Sequence, residues 1–284
     1  MMKSVIKRLI PKPIKSAIKL TMRNARYQWQ DTIGLLSGRR DRLTPPRRMI
    51  ESIGDGDFKK IGEAFFSHFT NLCDLKPGEK VLDVGSGSGR MAVPLTKYLS
   101  SEGSYEGFDI TPQQVKWCQK NITPKYPNFR FQLADIYNKM YNPQGKFKAS
   151  DYKFPYANES FDFVFLTSVF THLLPPDMEH YLSEIARVLR KNGRCFITFF
   201  LLNEESLQLI DAKKSSRDFK FDLGEYSIEN EDVPEGAVGY DETFIKELYQ
   251  KYNLEIKLPV YYGSWCERSQ SFDYQDIVIA SKKQ

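Results

Sequence analysis

The sequence predicts an α/β protein built on a mostly parallel sheet with helices on both faces. Three observations predict it. From residue 80 onward, short apolar runs alternate with amphipathic helical segments, the pattern of parallel strands joined by crossover helices. The apolar runs are nearly continuous, as expected for strands buried on both sides. The first run opens into a glycine-rich turn, Gly85-Ser-Gly87-Ser-Gly89, at the place where such sheets bind ligands.

Each element can be justified in turn. Residues 2–30 read as a basic amphipathic helix, or as two short ones broken by Pro11 and Pro13, because Ile6, Leu9, Ile10, Ile14, Ala17 and Ile18 recur at helical spacing between lysines. Residues 37–57, rich in Gly, Pro and Arg, read as a linker. Asp57–Leu75 is an amphipathic helix with Ile61, Ala64, Phe65, Phe69 and Leu72 on its apolar side, ended by Pro77-Gly78. Val81–Val84 is the first strand, followed by the glycine turn and a helix to about Leu99. Tyr105–Ile110 and Phe129–Leu133 are strands, separated by a helix that starts at Pro112, a residue suited to a first helical turn. Phe161–Thr167 is a fourth strand, Pro176–Arg190 a helix, Arg194–Leu201 a fifth strand and Asp241–Tyr252 a helix. Leu254–Tyr262 and Asp276–Ser281 complete the strand candidates. Residues 136–156 and 203–240 read as irregular, too long for idle connections.

Composition narrows the classes. Of 284 residues, 41% are hydrophobic and 14% aromatic, which excludes global disorder, collagen-like repeats and a disulfide miniprotein. The longest apolar run, Cys195–Leu202, is far shorter than the ~18 residues of a membrane span. Cys73, Cys118, Cys195 and Cys266 are scattered with no CxxC pair, which disfavours a zinc ribbon and suits reduced thiols. With no signal-peptide pattern in the first thirty residues, a cytoplasmic location is expected. The net charge of +5 is unevenly spread: residues 1–48 hold thirteen Lys/Arg against Asp31 and Asp41, a net +11, and the remaining 236 hold 28 cations and 34 anions, a net −6. The chain therefore divides into a basic N-terminal arm and linker, 1–48, and a mildly acidic body, 49–284.

The glycine turn carries the chemistry. Glycines allow a sharp bend and a ligand approach unobstructed by Cβ atoms, and a following helix start offers N–H donors to a polar group. Asp109, at the end of the second strand and 20 residues past Gly89, is placed to accept from both hydroxyls of a ribose. Asp135, just after the third strand, is placed to accept from an adenine amino group. A dinucleotide-binding dehydrogenase shares the acid after its second strand but carries GxGxxG; this chain has GSGSG followed by Arg90, with Asp83 two residues before the first glycine.

VLDVGSGSGR, GFDI, LADI, FPYANESFDFVFLTSVFTHL and RVLRKNGRCFITFF resemble the successive motifs of class I S-adenosylmethionine-dependent methyltransferases. The resemblance covers about residues 57–202 and the closing strand pair, and implies a Rossmann-like sheet of seven strands with the last antiparallel. It implies S-adenosylmethionine as cofactor, S-adenosylhomocysteine as product, and roles position by position. Gly85, Gly87 and Gly89 would surround the methionine part and Asp109 would take the ribose. Ile110 would lie beside adenine, Asp135 and Ile136 at its edge, and Thr167 with Ser168 under the cofactor. Asp83 would orient the loop or reach the amino group through water.

The sulfonium carbon is electrophilic, so the enzyme need only align a nucleophile and, for a hydroxyl, remove its proton. The Asn/Asp-Pro-Pro-Tyr/Phe tetrad used on planar amino groups is replaced here by Leu-Thr-Ser-Val-Phe, and no acid cluster marks a metal site. His172, five residues past Thr167, is the candidate catalytic base, with a packed or capping histidine as the alternative. His68 and His180 read as structural. Residues 137–156, 203–240 and 261–270 are the expected pocket walls, with Tyr240, Tyr262 and Trp265 as substrate candidates and core packing as their alternative. The expected activity is methyl transfer to an oxygen, less favoured nitrogen, of a small molecule or glycan. RNA methylation guided by the arm, a non-catalytic cofactor-binding scaffold and a dinucleotide oxidoreductase are the alternatives. For the arm, three readings stand: an interfacial helix of residues 1–30 on the anionic inner face of a membrane, a structural arm against the body or a partner subunit, and, disfavoured, a nucleic-acid contact through Arg23, Arg26, Tyr27 and Trp29.

Overall fold

The computed structural model describes residues 12–283 except Arg39, Ile53 and Asp55. Ile6, Leu9, Ile10 and Pro11 lie outside the described residues. The chain separates into two compact units, Met1–Ile61 and Gly62–Gln284, with the boundary inside an amphipathic helix.

In the first unit, α1 (Lys12–Leu36) is one continuous 25-residue helix. Pro13 is the second residue of that helix, a first-turn position where a missing N–H costs no hydrogen bond. α2 (Arg47–Glu51) follows Pro46 within the segment expected to be linker. Asp31 of α1 pairs with Arg40 and accepts the Arg47 backbone N–H at 3.0 Å.

The second unit holds the sheet. After α3 (Phe58–Cys73), which crosses the boundary, its elements are β1 (Lys80–Val84), α4 (Ala92–Leu95), β2 (Ser104–Asp109), α5 (Pro112–Asn121), β3 (Phe129–Leu133), β4 (Phe161–Leu166), α6 (Pro175–Val188) and β5 (Leu189–Phe199). Then come β6 (Leu201–Leu202), α7 (Glu204–Asp211), β7 (Phe221–Asp222), β8 (Tyr226–Ile228), β9 (Val238–Asp241), α8 (Glu242–Lys251), β10 (Leu254–Ile256) and β11 (Asp276–Lys282). Seven strands pair in the order β10-β11-β5-β4-β1-β2-β3. β11 runs antiparallel to both neighbours, while β5, β4, β1, β2 and β3 are parallel to one another. This is the Rossmann-like sheet expected from the sequence.

Alternation along β4 shows why helices cover both faces. Phe163 and Phe165 meet the Phe69 ring of α3 at 5.3 and 4.5 Å between centroids. Val164 and Leu166 point the other way, into a core shared with Met178, Leu182 and Ile185 of α6. Each of these strand residues is fully buried, so the near-continuous apolar run was a faithful sign of two-sided burial.

Two expectations are corrected. The helix after the glycine turn is only α4, four residues long, not a helix to Leu99. Past Leu95 the ladder tightens to i→i−3 bonds, from Lys97 N–H to Pro94 O and Tyr98 N–H to Leu95 O, so the chain continues in tight turns. Residues 203–240 are not irregular: they fold into α7 and most of a second sheet in the order β6-β9-β8-β7. Asn203 starts α7 with a reciprocal capping box to Ser206.

Candidate active site

The glycine turn joins β1 to α4 at the carboxyl edge of the parallel strands. Gly85, Gly87 and Gly89 all take positive φ, at 87°, 51° and 78°, which side chains resist. A Cβ would also press on a neighbouring side chain at two of them, on Val169 Cγ2 at Gly85 and on Ile122 Cδ1 at Gly89, so that side chain would have to shift. Asp109, at the end of β2, braces the turn. Its Oδ2 accepts the Gly87 N–H at 2.8 Å and its Oδ1 the Thr111 N–H at 2.7 Å. Burial pushes the Asp109 pKa up, against the pull of these two donors.

Asp83 is buried beneath the turn, where the Tyr105 hydroxyl donates to its Oδ2. Burial pushes its carboxyl up to about 8, with the Asp109 charge adding to the rise and Tyr105 opposing it. Its Oδ1, together with Ser86 Oγ and Ser88 Oγ, is buried without a hydrogen-bond partner. A polar ligand would satisfy such atoms, whose desolvation is otherwise uncompensated. A glycine-lined turn with orphaned oxygens and a ribose-competent carboxylate fits a nucleoside sulfonium such as S-adenosylmethionine.

The remaining expected cofactor residues cluster at the neighbouring strand ends. Ile110 packs against the main core just past β2. Asp135 is paired with Lys146 Nζ at 3.4 Å, and its carbonyl holds the Lys146 and Phe147 N–H groups. The Ile136 side chain is buried in the core and its N–H donates to Ala134 O. Thr167 follows β4 directly, half-buried. Beside it, Ser168 adopts φ 57°, its N–H donating to Thr198 Oγ1 at 2.8 Å and its hydroxyl to Gln275 Oε1 at 2.9 Å.

His172 stands at the end of a short 3-10 turn, Phe170–His172, whose N–H donates to Val169 O at 2.9 Å. Val169 thus touches Gly85 with its side chain and anchors His172 with its carbonyl. His172 Nδ1 is 2.9 Å from Glu235 O. A carbonyl only accepts, so Nδ1 carries the proton and the neutral ring presents its lone pair at Nε2. Burial lowers the His172 pKa, opposed by the carbonyls of Glu235 and Gly236. The Tyr141 ring meets the imidazole edge-on at 5.5 Å. Burial, with the Asp109 charge next, raises the Tyr141 pKa. Lys139 Nζ reaches Asp232 O at 2.5 Å, so the 137–156 and 203–240 segments meet around His172.

The other histidines are occupied elsewhere: His68 with Asp273 at 2.9 Å and His180 with Tyr152 O at 3.0 Å. The substrate candidates need correction. Trp265 is fully buried among Phe200 and Phe219, and its Nε1–H donates to Asp276 Oδ2 at 2.7 Å. Tyr240 is also fully buried, its hydroxyl donating to Leu173 O at 2.5 Å. Tyr262 is half-buried, donates to Glu242 Oε1 at 2.9 Å and stacks under the Arg268 guanidinium. Tyr240 and Trp265 thus pack the body instead of lining an open pocket. Tyr141 and Glu235 are the residues sequence reasoning misses. Glu235 acts through its carbonyl, which leaves no trace in residue type; for Tyr141 the available signal is the Asn138…Asn142 bridge that presents it.

Residues 82–197 match the family described as "Methyltransferase domain". Methyltransferase GfsG of Streptomyces halstedii is 28% identical over 140 residues, 49% of this chain and 44% of that protein. The phthiotriol/phenolphthiotriol dimycocerosates methyltransferase of Mycobacterium leprae is 33% identical over 116 residues, 41% of this chain and 36% of that protein. The chain thus spans less than half the length of these curated relatives. In fold, it is similar to the PH0226 protein of Pyrococcus horikoshii OT3, with a TM-score of 0.54 and 15% identity over 81% of this chain and 93% of that one. Residues 82–197 thus carry a methyltransferase domain, and the seven-stranded order with its antiparallel β11 is that of the class I S-adenosylmethionine-dependent methyltransferase fold.

Proposed function

We propose that the protein transfers a methyl group from S-adenosylmethionine to a hydroxyl oxygen of a small molecule or glycan, with His172 as general base. The observation that carries the choice of oxygen is the hydrogen bond from His172 Nδ1 to Glu235 O. It fixes the tautomer whose Nε2 takes a proton, which a hydroxyl acceptor needs and a neutral amine does not. When bound, the cofactor supplies the electrophilic methyl carbon. Gly85, Gly87 and Gly89 admit its methionine portion, and Asp109 accepts from its ribose. Asp83, Ile110, Asp135, Ile136 and Thr167 complete the cradle. The segments 137–156 and 203–240 close over His172 and keep water from the acceptor.

Two experiments test this. Incubation with tritium-labelled methyl donor and fractionated extracts identifies the acceptor, and degradation of the product identifies the labelled atom. With that acceptor, His172→Ala is expected to lower kcat by about 100-fold or more, the usual worth of a general base, while S-adenosylhomocysteine affinity holds. Label on nitrogen, or an unchanged kcat, removes His172 from the chemistry.

A further inference from the structure

We infer that α1 is a membrane-surface helix, laid with its apolar stripe on the headgroup boundary of an anionic bilayer. At 100° per residue, Ile14, Ile18, Met22, Trp29, Ile33 and Leu36 fall within an arc of about 100°. All six are exposed, Met22 to 68%, Trp29 to 67% and Leu36 to 83%. The helix is turned against the usual logic of folding, in which the apolar face is the one covered. The more protected side is the polar one, with Asn24, Tyr27, Asp31 and Gly34 half-buried. Asp31 is held there by Arg40 and the Arg47 N–H, and Arg23 by Glu51 at 2.8 Å. The apolar stripe is therefore left outward while the first unit's own contacts use the opposite face.

Charge chooses the occupant. The helix carries Lys12, Lys15, Lys19, Arg23 and Arg26 against the single anion Asp31. Lys19 and Arg26 lie within about 20° of one another along one border of the stripe. An apolar stripe edged by cations, with a tryptophan in it, matches acyl chains beside anionic headgroups. A second copy of the helix would set these cations against their own like. Among the described residues no helix is long and apolar enough to cross a membrane, so the match is to a helix lying in the interface plane.

Vesicle flotation of the full chain tests the inference, with phosphatidylcholine alone and with phosphatidylcholine containing phosphatidylglycerol. Ile18 and Leu20 are exposed to 46% and 47%, but only Ile18 lies on the stripe, so Ile18→Glu and Leu20→Glu are matched in charge and polarity. The wild type is expected to float with the anionic vesicles only, and to shift its tryptophan emission to the blue, a shift lost in Trp29→Phe. Ile18→Glu should weaken binding at least tenfold, and Leu20→Glu several-fold less. Absence of vesicle binding, equal binding to neutral vesicles, or equal loss from the two variants overturns the inference. So does self-association or RNA binding that depends on Ile18 in a chain that ignores vesicles. The readout is lipid binding, so it stands apart from methyl transfer.

Discussion

The Val169 side chain occupies the space above Gly85 where a β-carbon would lie, with its Cγ2 nearest. Glycine is needed at that position twice over, for φ 87° and for the contact. Gly85→Ala should destabilise the protein by about 2 kcal/mol or more, from left-handed strain and overpacking together. Adding Val169→Ala relieves the contact but not the strain, so the double variant should recover only part of the loss. Chemical denaturation of the four proteins of this cycle checks it, and strictly additive effects would show that the two residues do not press on each other.

The buried Asp83 carboxyl sets a stability gradient with pH. Its folded pKa, raised to about 8, stands well above the ordinary value of 3.8. A raised pKa means the folded state holds the proton more tightly, so the contribution is full below about pH 4 and is lost as pH rises through 8. Asp83→Asn has no proton to lose. The stability of the wild type relative to this variant should therefore fall steadily from about pH 4 to pH 8, and flatten beyond. Melting temperatures across that range measure it; parallel curves would place the Asp83 titration outside the window.

His172 should give an acid limb to the rate. Burial lowers its pKa from 6.5, so kcat with the true acceptor is expected to reach its plateau below the pH at which free imidazole titrates. A half-maximal pH above 6.5 would point to a different base.

Trp265→Phe separates core from pocket. The substitution removes the Nε1–H that reaches Asp276 and leaves a buried carboxylate one donor short, at a cost of about 1–3 kcal/mol. Turnover at a temperature where the variant is folded should match wild type. A raised KM with unchanged stability would return Trp265 to the substrate.

The sheet was legible because its signals are local. Val81–Val84, Phe161–Thr167 and Cys195–Leu202 are apolar runs interrupted only by Asp83, Asp162, Thr167 and Thr198, and two-sided burial needs nothing from the rest of the chain to declare itself. The glycine turn with Asp109 was legible for the same reason: positive φ and strand-end position follow from residue type and spacing. The second sheet was not, since β7 is two residues long and β6 pairs with β9 across 39 positions, a partnership set by tertiary packing. Aromatic composition misled at Tyr240 and Trp265. A polar tip suits a pocket and a satisfied core equally, and only the partners Leu173 O and Asp276 decide. Pro13 and Pro94 both lie in the first turn of their helices, where the missing N–H has no intrahelical partner to lose.

The central claim is that the Gly85–Gly89 turn and Asp109 hold an S-adenosyl nucleoside. Titration calorimetry of the full chain with S-adenosylhomocysteine tests it most directly. The wild type should bind at one site, and Asp109→Ala should lose at least about tenfold in affinity, as expected when charge-assisted bonds to a ribose go. Binding of NADH in place of S-adenosylhomocysteine, or equal affinity in the two proteins, would contradict the account.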